Sequence, residues 1–283
     1  MAESLLGKKS LVVLAGASAG IGRQLALDLA KALGDGSKLL LIARREGLLM
    51  EIAALISDDK RNVTCETMPM DLSKFEEASK EFSDWLNANK GFYEAYFVIH
   101  NAASLGDLNK YTSDFESTEE LQAYFNLNLY GVILLNGAWM RALKETTGLK
   151  VVINTSSDNA YRGVPSMSLY SAGKAAREGF MRTLAAEFPN IRVLNYSPGP
   201  VETDMLSLLN NSVHRPLADW LNDASAKGEV LTPAATVARL LEILKENSFE
   251  SGAHMDVFDG AIVTAAAKNG AYAALDVAMA ASN

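Results

Sequence analysis

Seven residues near the N-terminus, Gly16-Ala17-Ser18-Ala19-Gly20-Ile21-Gly22, constrain the fold of this chain more than any other stretch. The apolar run 11–15 before them reads as a buried strand. After them, Ile21, Leu25, Leu29 and Ala32 share one stripe of a helix predicted over 21–33. Strand, glycine-rich turn and helix in that order form the setting of a dinucleotide-binding fingerprint. Gly16, Gly20 and Gly22 allow a tight turn and a close approach of backbone to a pyrophosphate, whose charge then rests at the helix N-terminus. A turn without a ligand is the bland alternative. It leaves three glycines unexplained, each of which loses much chain entropy on folding.

Six more apolar runs, 38–43, 62–68, 95–100, 150–155, 191–196 and 253–258, read as strands with helical patterns between them. Repeated βα units imply a parallel sheet covered by helices on both faces. The chain has 283 residues, 49% of them hydrophobic, enough for one large α/β core, and no linker or repeat divides it. Residues 1–260 therefore read as one domain. The segment 204–233 interrupts the rhythm and is either a substrate lid or a surface insertion. The Ala-rich extension 261–283 reads as a docked helix carrying Tyr272, Leu275 and Met279, or as a mobile tail.

A net charge of −8 argues against nucleic acid and anionic membranes as partners. The single Cys65 excludes an internal disulfide. Residues 1–9 lack the apolar core of a signal peptide, and no run is long and apolar enough to span a bilayer, so the cytoplasm is expected. His100, His214 and His254 are scattered, and no metal site is expected.

Tyr170-Ser171-Ala172-Gly173-Lys174 places a phenol and an amine one helical turn apart. A tyrosine with a pKa near ~10 exchanges protons poorly at neutral pH, and a neighbouring ammonium is expected to lower that value. The pair can then give a proton to an oxygen, which a carbonyl needs when hydride reaches its carbon. Ser156 and Ser157 follow the fifth predicted strand, at the sheet end where ligands of open α/β sheets bind. Arg44 and Arg45 follow the second, where an Asp or Glu would bind the ribose 2′-hydroxyl of NAD. A guanidinium there suits a 2′-phosphate, so NADP(H) is favoured over NAD(H). The alternative for both arginines is a solvated helix start.

The GxxxGxG spacing, with Asp71-Leu72, Asn101-Ala102-Ala103, Asn128, Ser157, Tyr170, Lys174 and Pro198-Gly199-Pro200, resembles the short-chain dehydrogenase/reductase family. The longer stretches 101–107, 170–177, 192–205 and 251–256 are similar to its sepiapterin reductase branch. The resemblance implies a Rossmann-type doubly wound parallel sheet of about seven strands. It also implies NADP(H), a small-molecule substrate and a homodimer formed by the helices that carry Asn128 and Tyr170.

The resemblance assigns Ser157, Tyr170, Lys174 and Asn128 to catalysis. Tyr170 would donate the proton, Ser157 hold the carbonyl oxygen, Lys174 bridge the nicotinamide ribose and Asn128 hold a relay water. The alternative for Asn128 is a buried amide bonded to neighbouring backbone. Cofactor contacts are implied for Gly16, Ser18, Gly20, Ile21, Gly22, Arg44, Asp71, Leu72, Asn101, Ala102, Tyr170, Lys174, Pro198, Gly199 and Val201. Asp71 would accept from the adenine amino group, or else simply cap the following helix. Ala15 and Ala19 depart from the family's Thr and Arg, so the phosphate grip leans on Arg44 and Ser18.

Ser157, Tyr170, Leu105, Gly199, Met205 and Asp256 are implied to meet the substrate, with Tyr161 a weaker candidate. The Asp256 carboxylate would accept two N–H bonds from the amino-pyrimidine edge of a pterin, or else cap a turn or pair with an arginine. The activity implied is NADPH-dependent reduction of a carbonyl on a pterin side chain, in tetrahydrobiopterin synthesis. The rivals are a broader carbonyl or diketone reductase on the same residues, and a protein that senses NADP(H) without turnover.

Overall fold

A computed structural model describes residues 3–59 and 62–259; the alanine-rich extension 261–283 lies outside the described residues. β1 (Ser10–Ala15) is buried along its whole length and runs through the glycine turn into α1 (Gly20–Ala32). β2 (Ser37–Ala43), α2 (Glu46–Ser57), β3 (Val63–Pro69) and α3 (Phe75–Asn89) follow. β4 (Ala95–His100) leads to α4 (Thr118–Phe125), a π-turn at Asn126–Tyr130, α5 (Gly131–Ala142) and β5 (Leu149–Thr155). α6 (Ser168–Glu187) returns the chain to β6 (Ile191–Ser197). The short α7 (Asp204–Ser207) and α8 (Arg215–Ala226) precede α9 (Pro233–Glu246) and the last strand, β7 (His254–Asp256).

The seven strands form one sheet in the order β3-β2-β1-β4-β5-β6-β7, and every pairing is parallel. Alternation along β1 sends Val12 and Leu14 into one core layer, and Leu11 and Val13 into the other. Each large apolar side chain buried this way contributes about 2 kcal/mol, which is why the central strands read as continuous apolar runs. Strand order reverses between β1 and β4, which opens a crevice at their carboxyl ends. All seven expected strands are present.

The last strand is the exception in length, ending at Asp256 where the chain turns. The segment 204–233 lies over the carboxyl end of the sheet. Leu217, Trp220, Leu221 and Ala224 of α8 pack in one apolar cluster with Leu105, Val164 and Tyr170. That spacing is one helical face, so the segment is seated on the crevice rather than projecting from the surface. Among the described residues, no helix is long and apolar enough to cross a membrane.

Candidate active site

The glycine turn supplies the floor of the crevice. Gly16 has φ +84°, and a Cβ there would sit 2.5 Å from the backbone nitrogen of Ala102. A Cβ on Gly22 would lie 1.9 Å from the Gly16 carbonyl oxygen. Side chains are therefore excluded because the turn, α1 and the end of β4 touch backbone to backbone. Asn101 secures this contact, donating from Nδ2 to the Gly16 carbonyl at 2.9 Å. Its Oδ1 accepts from Thr155 Oγ1 at 3.2 Å.

A cavity of ≈720 Å³ runs from this turn to α8. Its lining includes Gly16, Ser18, Gly20, Ile21, Arg44, Asp71, Leu72, Asn101, Ala102, Leu105, Ser157, Tyr170, Lys174, Pro198, Gly199, Val201 and Met205. Nearly all of the residues implicated by sequence thus share one wall. Gly22, Asn128 and Asp256 are not among the lining residues. The size is that of a small-molecule site, and the side-chain-free turn beside two guanidiniums fits a phosphorylated dinucleotide.

At the rim, Arg44 and Arg45 are both exposed. Arg45 Nη2 donates to Ser18 Oγ at 3.1 Å, so a second guanidinium reaches the glycine turn from the end of β2. It adds a charge at Ser18, beside Ala19, to the grip expected of Arg44 and Ser18. Asp71 lines the cavity and also caps the turn after β3, with Oδ1 accepting from the Ser73 amide at 3.0 Å and the Ser73 hydroxyl at 2.8 Å. The capping alternative is therefore present.

At the centre, Ser157 stands just past β5 and lines the cavity with Tyr170, its hydroxyl donating to Asn159 Oδ1 at 3.3 Å. Tyr170 and Lys174 project from the first two turns of α6, with the Lys174 ammonium 5.3 Å from the phenol ring centroid. Lys174 Nζ donates to the Thr155 carbonyl at 2.6 Å. Burial pushes the Tyr170 phenol above its ordinary value, while the Ser157 hydroxyl and the Arg177 charge pull the other way. Burial, and then Arg177, hold Lys174 well below the usual lysine range, and Glu178 opposes them.

Burial thus outweighs the lowering expected of a neighbouring cation, and the Tyr170 value is raised. Both groups are buried, and desolvation weakens the ammonium itself. Arg177, which no sequence motif singles out, is a further cation acting on the phenol.

Asn128 and Asp256 make the hydrogen bonds that their bland alternatives call for. Asn128 is 2% exposed within the π-turn. Its Oδ1 accepts from the Ser104 amide at 2.8 Å, and its Nδ2 donates to Ser104 Oγ and to the Tyr124 carbonyl, each at 3.0 Å. Those bonds occupy both amide hydrogens, which is the bland alternative for this residue. Asp256 is 4% exposed, and its Oδ1 accepts from the Phe258 amide at 3.0 Å. The turn after β7 needs an acceptor for that amide, so the carboxylate caps it in the described conformation. Tyr161 is 59% exposed and bonds through its hydroxyl to Glu178.

The substrate end was only partly legible. Val164, Met167, Leu217 and Trp220 line it beside Leu105 and Met205. The apolar face of α8 was a readable signal, but its destination over Tyr170 is a tertiary fact.

A family model described as "short chain dehydrogenase" matches residues 10–213. Sepiapterin reductase of Bos taurus is 35% identical over 256 residues, covering 89% of this chain and 95% of that protein. Benzil reductase ((S)-benzoin forming) of Bacillus subtilis is 24% identical over 254 residues, 87% of this chain and 98% of that protein. A short chain dehydrogenase of Shigella flexneri solved in complex with NADP superposes with a TM-score of 0.70 at 25% identity, covering 90% of this chain and 99% of that one. A short chain dehydrogenase/reductase of Saccharomyces cerevisiae gives 0.75 at 20% identity, over 90% of this chain and 98% of that one. The matched span takes in every strand from β1 to β6 and the α6 face on the crevice, and the chain belongs to the short chain dehydrogenase family.

Proposed function

We propose that this oxidoreductase uses NADPH to reduce a carbonyl carried on a pterin side chain, a step toward tetrahydrobiopterin. The observation that carries the reductase reading is the Ser157–Tyr170–Lys174 group opening into the cavity that begins at the glycine turn. NADP(H) as cofactor is supported by Arg44 and Arg45 beside Ser18, and by the family neighbour complexed with NADP. The resemblance to sepiapterin reductases supports the pterin.

The cofactor, when bound, supplies hydride to the carbonyl carbon. Gly16, Gly20 and the N-terminus of α1 hold its pyrophosphate, and the two arginines its 2′-phosphate. Ser157 donates a hydrogen bond to the carbonyl oxygen and keeps it beside the phenol. Tyr170 gives its proton to that oxygen as negative charge grows there. Lys174, fixed by the Thr155 carbonyl, orients the ribose. Asn128 braces Ser104, a lining residue, and serves the site through that brace. Pro198 and Gly199 keep bulk away from the ring. Pterin binding by Asp256 requires its carboxylate, 4% exposed and outside the cavity lining, to become reachable from the cavity. The reading includes a cytoplasmic homodimer built on α5 and α6.

A second reading, a broader diketone reductase, is favoured by the apolar wall of Leu105, Val164, Met167 and Trp220. NADPH oxidation measured separately with sepiapterin and with benzil decides between them. Strong turnover of sepiapterin supports the first reading, and turnover of benzil alone supports the second. Turnover of neither substrate contradicts both and favours binding of NADP(H) without chemistry.

A further inference from the structure

Arg177 is 1% exposed and sits behind the residues that line the crevice. It follows Tyr170 by seven residues on α6, two helical turns, so the two side chains share a face. Its fork is fully engaged. Nε donates to Asn154 Oδ1 at 2.8 Å, Nη1 to the Ala102 carbonyl at 3.0 Å and Nη2 to the His100 carbonyl at 2.6 Å. The two carbonyls flank Asn101, which in turn holds the glycine turn. One side chain thus ties the Tyr170 helix to β5, to the end of β4 and, through Asn101, to the floor of the cofactor crevice.

None of its bonded partners is a carboxylate. A buried guanidinium without an acid is costly unless something nearby gains from the charge. Burial pushes its pKa down to about 10, so it remains a cation at neutral pH, and the groups that favour its charge, once ionised, are the Tyr170 and Tyr124 phenols. Around Tyr170 stand Ser157 from the β5 end, Lys174 and Arg177 on α6, and Tyr124 on α4. Glu178 acts on Lys174, and Asp158, also on the cavity wall, is paired with Arg162. His100, pushed by burial to about 3, is neutral.

We propose that Arg177 is a positioning residue: its fork fixes residues 100–102 against the catalytic helix, and its charge stabilises the negative oxygen left on Tyr170 once the proton is given up. The inference rests on the reading of Tyr170 as proton donor. Its test does not need a substrate. Protein carrying tyrosine labelled with 13C at the ζ carbon is titrated by NMR with NADP bound, and the Tyr170 signal is the one lost in Tyr170→Phe.

Arg177→Met is expected to raise the titration midpoint of Tyr170 by ~1 pH unit. Arg177→Lys keeps the charge and is expected to leave the midpoint within ~0.3 unit while weakening NADPH binding ~5-fold, because the fork is lost. Asn154→Asp places a carboxylate on the guanidinium and is expected to raise the midpoint as Arg177→Met does, which covers the case of a Met variant that does not fold. A Tyr170 signal that titrates no earlier in the wild type than in a folded Met or Asp variant overturns the proposal, as does unchanged NADPH affinity in Arg177→Lys. Failure of the wild type to turn over sepiapterin or benzil counts against the functional reading alone.

Discussion

At the scale of single residues, the side chains facing the cavity were more readable than those behind them. Tyr170 and Lys174 are recognisable from their spacing, and Ser157 from its distance to Tyr170. Glu178 is not, because it lies two turns beyond Tyr170 in a stretch with no motif of its own. It is nonetheless a hub. Its side chain is 1% exposed, accepts from the Ser156 and Tyr161 hydroxyls, from His254 Nδ1 at 2.7 Å and from Arg182 Nη1 at 3.3 Å. Burial pushes the Glu178 carboxyl up, but the hydrogen bonds from His254, Ser156 and Tyr161 outweigh it and hold the value below the ordinary 4.5. For His254, burial acts downward and the Glu178 bond and charge prevail, raising it above 6.5.

Both shifts make stability depend on pH. The Glu178 contribution to stability is present above 4.5 and is lost as pH falls through its lowered folded value. The His254 contribution is present below 6.5 and is lost as pH rises through its raised folded value. Glu178→Gln is therefore expected to lower stability by ~2 kcal/mol, the scale of a hydrogen bond to a charged group, and to do so most between the two ordinary values. Denaturation with urea at several pH values measures it, and a loss that does not change with pH contradicts this account.

At the scale of elements, the strands were the most legible part. A strand buried on both faces needs a continuous apolar run, and each run stands out between polar turns. The helix ends and the excursion over the site were less so. α8 carries an apolar face that any surface helix could show, and only contact with Leu105 and Tyr170 gives it meaning. The last strand ended early because Asp256 caps a turn, a use of a short acid that periodicity does not reveal.

α5 bears the element-scale prediction. Tyr130, 48% exposed, and Leu134, 38% exposed, lie four residues apart at the edge of the helix. Apolar side chains left outward together on one helix face suit a partner helix. Light scattering is expected to give twice the chain mass of 30.4 kDa for the wild type and the single mass for Leu134→Glu. A monomeric wild type would remove the dimer.

At the scale of the whole molecule, the parallel order β3-β2-β1-β4-β5-β6-β7 collects residues from five separate stretches of sequence at one end of the sheet. The glycine turn after β1, the arginines after β2, Asn101 after β4, Ser157 after β5 and Pro198-Gly199 after β6 meet there because each follows a strand that points the same way. α6 then closes the cavity with Tyr170 and Lys174, and Arg177 and Glu178 anchor that helix to β5 and β7. Turnover thus depends on the Tyr170 phenol acting as the proton donor in a crevice that binds NADPH independently of it. Tyr170→Phe tests this most directly, with NADPH binding and NADPH oxidation measured on the same preparation. The expected result is nearly unchanged binding with turnover reduced at least ~100-fold, the scale of a lost general acid; turnover close to that of the wild type would contradict it.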